Sequence, residues 1–147
     1  LFETRGEYDR AETCFRQVLE LNPAVSWNYV NLGILLAKAG RLSEATRILE
    51  EGRTKLPGST VVLSHLMAAY LRAGRLADAL ATGQEILSID PDHFDALYVT
   101  GDVLTRQEKW AEAVSLFERA LRIEPENETL LRSYRRALAQ RGERPTR

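Results

Sequence analysis

The sequence predicts an all-α chain built from repeated antiparallel helix pairs, an α-solenoid, and three columns of residues predict it. Pro23, Pro57, Pro91 and Pro125 stand 34 residues apart. Ala11, Ala45, Ala79 and Ala113 keep the same period, as do Gly6, Gly40 and Gly74, whose column breaks at Glu108 and resumes at Gly142. Agreement of three residue types on one period is the mark of stacked repeats, in which each unit buries its apolar face only against its neighbours.

Each period divides into two helices. In residues 26–39, Tyr29, Leu32, Gly33 and Leu36 recur at helical i, i+3, i+4, i+7 spacing and share one face. Gly40 tolerates a positive φ and ends this first helix, and Ser43 is the expected cap of the second, which runs to about Leu56 with Ala45, Ile48 and Leu49 inward. Pro57 stops it, because proline lacks the amide donor and disfavours helical geometry in the residue before it. The expected order is a partial repeat over 1–25 (the end of a first helix, then a second from about Tyr8 to Leu21), full repeats over 26–59, 60–93 and 94–127, a closing helix over 128–141, and a disordered tail over 142–147. The closing helix should turn Leu131, Tyr134 and Leu138 inward and Arg132, Arg135 and Arg136 to solvent. Because the chain starts at Leu1 within a repeat, it is expected to be a piece of a longer array.

These residues resemble tetratricopeptide (TPR) repeats. Residues 26–59 carry Tyr29, Leu32-Gly33, Leu36, Ala45, Leu49 and Pro57, and residues 94–127 carry Leu97, Gly101, Leu104, Trp110, Ala113, Phe117, Ala120 and Pro125. The resemblance implies a right-handed solenoid, the TPR superhelix. Two departures stand out. Residues 60–93 have Met67 where the family has a small residue and Gly83 where it has an aromatic, so Met67 is expected to fill the space beside Gly83. Gly52-Arg53 replaces the larger pairs Val18-Leu19, Ile86-Leu87 and Ala120-Leu121, so that turn is expected to pack loosely.

In TPR proteins the first helix of each pair lines a concave wall that binds an extended peptide or a partner's helix; this, too, is what the resemblance implies. Helical spacing says which residues face that wall: Trp27, Val30, Asn31, Ile34 and Lys38, then Val61, Ser64, His65, Ala68 and Arg72, then Asp95, Tyr98, Val99, Asp102 and Arg106. Trp27, Val30 and Ile34 form an apolar part, Ser64 and Ala68 a small one, and Tyr98 with Asp102 an aromatic and polar one. For Trp27, folding back into the core stands beside exposure in the groove. Two basic columns repeat at 34, Lys38-Arg72-Arg106 and Arg41-Arg75-Lys109. They read either as an edge that attracts an acidic partner or as cations that complement helix C-termini for ~0.3–1 kcal/mol each.

Composition narrows the function further. The 147 residues are 44% hydrophobic and 28% charged, with 20 Lys+Arg against 21 Asp+Glu for a net charge of -1. That content folds, and no run is long and apolar enough for a membrane span or a secretory signal, so a soluble protein, with the cytoplasm favoured, is expected. Balanced charge argues against nucleic-acid binding, and an RNA-reading helical repeat ranks below a protein-binding one. Cys14 alone makes neither an intrachain disulfide nor a cysteine metal site, and neither a metal nor a cofactor is expected. Only His65 and His93 titrate near neutral pH, with no Ser or Cys at a motif spacing, so the chain reads as non-catalytic and the cluster of His65, Tyr98 and Asp102 as one for recognition. The clamp that holds Hsp70 and Hsp90 tails in TPR domains uses Lys, Asn, Asn, Lys and Arg, where this chain has Val30, Ile34, His65, Asp95 and Val99, so such a tail is not the expected ligand. The asparagine ladder of TPR glycosyltransferases is missing as well, since the column through Asn31 continues as His65, Val99 and Ser133. The expectation is a scaffold for a protein or peptide partner; self-association is the alternative.

Overall fold

The structure, a computed structural model, describes residues 2–143 and the side chains of residues 6–142. The described residues form eight α-helices and no strand: α1 Phe2–Leu21, α2 Ser26–Lys38, α3 Leu42–Lys55, α4 Thr60–Arg72, α5 Leu76–Ile89, α6 Phe94–Arg106, α7 Trp110–Ile123 and α8 Glu128–Glu143. They group into two compact units, Leu1–Arg75 and Leu76–Arg147. In the first, α1 packs on α2, α2 on α3 and α4, and α3 on α4; in the second, α5 packs on α6, α6 on α7 and α8, and α7 on α8.

Repeated local chemistry sets the helix ends. After α2, the amide of Gly40 donates to the Ala37 carbonyl and that of Arg41 to Leu36, the paired bonds of a Schellman turn. Gly74 and Arg75 repeat it after α4, and Glu108 and Lys109 repeat it after α6. The turn needs a left-handed residue, so Gly40 and Gly74 have φ of 78° and 71°, and Glu108 adopts 60° in the column where glycine lapses. At the opposite ends, Ser59, His93 and Asn127 accept from the amides of Val62, Ala96 and Leu130.

Each unit has its own core. Leu19, Tyr29, Leu32, Leu36, Ala45 and Ile48 form one, and Leu97, Leu104, Ala113, Val114, Phe117 and Leu130 belong to the other. Close approach is set by glycine. A Cβ on Gly101 would lie 2.6 Å from the Phe117 ring, and one on Gly52 would lie 2.8 Å from Cγ of Tyr29.

Five details differ from the sequence reading. α1 continues through Gly6 without a break, because with no C-terminal turn built there the glycine is simply a helical residue. Arg41, not Ser43, precedes α3, and no side chain caps that helix. The Gly52 turn is tight rather than loose, since Gly52 is buried under the Tyr29 ring. α8 turns Leu130 and Ala137 fully inward while Leu138 is exposed, one residue of rotation from the expected stripe, with Leu131 and Tyr134 at its edges. Gly142 and Glu143 remain helical, and the rest of the expected tail lies outside the described residues. Met67 and Gly83 are both buried, one in each unit.

Candidate partner-binding face

In the first unit, α2, α3 and α4 enclose a groove of about 160 Å³. Its walls include Ile34 and Ala37 from α2 and Ala68 and Ala69 from α4, with Ala45 and Leu49 of α3 beneath. Small residues make the opening: at Ala68 and Ala69 a longer side chain would fill it. Lys38 and Arg72, the last residues of α2 and α4, also line it, and no carboxylate does. Both cations are exposed, and among the described residues neither has an ion-pair partner. Their position at helix C-termini holds them where the carbonyl dipoles are negative.

His65, on the α4 side of the groove, meets Trp27 edge-on with ring centroids 6.2 Å apart. Burial holds its imidazole below the ordinary pKa of 6.5, so it is neutral at physiological pH. Trp27 is 55% exposed, so it lies outside the core with its ring against His65. Ile34 is 37% exposed. Val30 lines the groove as expected but is fully buried, so it belongs to the groove's floor rather than to its solvent-exposed wall. Asn31 and Ala68 are exposed, and the Ser64 hydroxyl donates to the Thr60 carbonyl.

The second unit holds the other expected residues. Tyr98 tilts against the core ring of Phe117 at 6.2 Å and is half-buried, as is Val99. Asp102 accepts from Arg106 at 2.9 Å, an i, i+4 pair that neutralises both. The first basic column therefore keeps two unpaired members, Lys38 and Arg72.

In the second basic column Arg41 and Arg75 serve the fold. Arg41 bonds both Glu12 on α1 and Glu44 on α3. Arg75 lies 4.4 Å from the centre of the Tyr70 ring, whose hydroxyl donates to Glu50 at 2.7 Å. His93, one of the two candidate bases, is a helix cap whose Nδ1 accepts an amide proton. Its role was visible as the column Ser59-His93-Asn127, 34 residues apart, whereas Ala37 and Ala69 carry no sequence signal beyond their place beside Ile34 and Ala68. Among the described residues, no group of three or more His, Cys, Asp or Glu is placed to hold a metal, and no helix is long and apolar enough to cross a membrane.

Comparison with known proteins agrees with this architecture. Family models for the tetratricopeptide repeat match residues 4–70 and 68–128. A curated relative, Hsp70-Hsp90 organizing protein 1 of Glycine max, is 22% identical over 92% of this chain, which spans 24% of that protein's length. Among solved structures, the MamA protein is 21% identical, covering 95% of this chain and 76% of its own, with a TM-score of 0.80. The first TPR domain of Spaghetti (RPAP3), bound to the HSP90 peptide SRMEEVD, is 21% identical over 80% of this chain and 94% of its own, with a TM-score of 0.75. Periodic columns, helix pairs closed by the same turn and two family matches in succession converge: this chain belongs to the tetratricopeptide repeat family.

Proposed function

We propose that this chain is a non-catalytic interaction scaffold that holds a peptide or helix of a partner protein on the exposed faces of its first-of-pair helices. The observation that carries the proposal is the groove between α2 and α4. Trp27, Ile34 and Ala68 leave apolar surface in solvent beside His65, and aromatic and aliphatic groups in a concavity gain large buried area on docking at little entropic cost. Asn31 stands at the edge as a hydrogen-bonding group. Tyr98, Val99, Asp102 and Arg106 are proposed as a separate contact surface of the second unit.

The reading also separates this chain from the binding of chaperone tails. The Spaghetti domain holds a peptide ending in EEVD, and the clamp positions here, Val30, Ile34, His65, Asp95 and Val99, supply neither the amides nor the fixed cations that such a tail needs. Affinity capture with the wild type and an Ile34→Glu/Ala68→Glu variant tests the proposal. Loss of the captured partner with retained helical circular dichroism supports it, and an unchanged set of partners overturns it. Sedimentation of both proteins at several concentrations distinguishes the alternative, since a dimer lost in the variant would make a second copy the occupant.

A further inference from the structure

We infer that the groove between α2 and α4 selects a short acidic peptide in which an apolar residue and a carboxylate are two positions apart. The inference rests on the docking face proposed above and adds the chemistry of its ligand.

The first argument is charge. Lys38 and Arg72 come from different helices yet line one groove, no carboxylate shares it, and neither cation is ion-paired among the described residues. Elsewhere in the same columns three cations are spent, Arg106 on Asp102, Arg41 on Glu12 and Glu44, and Arg75 on Tyr70 and Glu50, while Lys109 is not among the residues that line this groove. Two like charges gathered at one end of an apolar groove lower each other's cost when a carboxylate arrives between them.

The second argument is size and spacing. The groove's volume of about 160 Å³ is close to that of an apolar cavity of ~150 Å³ that accepts a benzene-sized group, so one apolar side chain fits between Ile34 and Ala68. Lys38 lies four residues beyond Ile34, as Arg72 does beyond Ala68, about 6 Å along each helix at ~1.5 Å per residue. An extended peptide advances ~3.3 Å per residue and points alternate side chains the same way, so about two residues span that distance and return the second side chain to the same face. The pattern is apolar-x-acidic, and nothing in it requires a free C-terminus.

Selection of a random heptapeptide display library on the full chain tests this, with the enriched peptides resynthesised blocked at both ends and measured by fluorescence anisotropy. Enrichment of apolar-x-Asp/Glu is expected, with about a tenfold weaker affinity when the peptide's acid becomes its amide or when Lys38→Glu/Arg72→Glu is introduced. A peptide carrying Lys in place of the acid should regain affinity for that charge-reversed variant, which also shows that the variant is folded. Peptides that bind through the groove, lost in Ile34→Glu/Ala68→Glu, but are indifferent to the acid and to Lys38 and Arg72 overturn the inference and leave the docking face standing. No enrichment, or peptides that bind the groove variant equally well, overturn both.

Discussion

Gly52 contributes to packing through what it lacks. Its missing Cβ lets the Tyr29 ring, 1% exposed, lie directly on the α3 backbone, in a repeat whose counterparts pair Leu63 with Ile86 and Leu97 with Ala120 at the same two positions. In this repeat a large residue on one helix is matched by an empty position on the other. Gly52→Ala is expected to lose about 1–3 kcal/mol by overpacking, partly offset by about 1 kcal/mol of helix propensity. In Tyr29→Leu the same substitution should be neutral or favourable, and a double-mutant cycle from urea unfolding would read the coupling. If Gly52→Ala costs the same in both backgrounds, the ring is not what the glycine accommodates. The sequence reading took this glycine for slack because composition alone does not say what faces it; its partner is 23 residues away on another helix.

At the scale of elements, polar side chains fasten helices that the apolar columns only bring together. Glu12 and Glu44, on α1 and α3, have carboxyls held below the ordinary value of 4.5, first of all by hydrogen bonds from Arg41. A carboxyl whose folded pKa is depressed stabilises the fold above its unfolded pKa, and that contribution is lost as pH falls through the folded value. Arg41→Ala should therefore melt lower than the wild type at pH 7, with the difference shrinking as pH drops below 4.5, measured by thermal circular dichroism across pH. A difference that does not change with pH would make Arg41 a packing residue only. Local rules made part of this legible. The Schellman turns followed from Gly40 and Gly74, and the Asp102–Arg106 pair stood in plain i, i+4 spacing although the groove reading left both charges free. The Arg41–Glu12 link, 29 residues apart, was not legible, because no periodic column pairs those positions.

For the whole molecule, each helix within a unit packs on its neighbour in sequence or the next but one. Such local topology shortens the loops that must close before contacts stabilise them, so folding on a timescale of about microseconds to milliseconds is expected in stopped-flow or temperature-jump kinetics. Folding over seconds would point to a slow step absent from this topology. What the amino-acid order determined by itself was the period, the helix pairs, the residues that end them and most of the buried columns. These depend on interactions within one or two helical turns and on a hydrophobic pattern that repetition makes unmistakable. Tertiary structure decided which side chains remain available. It buried Val30 in the floor of the groove, left Trp27 exposed on His65, closed Tyr29 over Gly52, and committed Arg41 and Arg75 to the fold while leaving Lys38 and Arg72 at the groove. A helical face is about 100° wide in the sequence pattern, but whether its edge meets solvent or a neighbouring helix depends on the angle and distance of packing, which no single helix encodes.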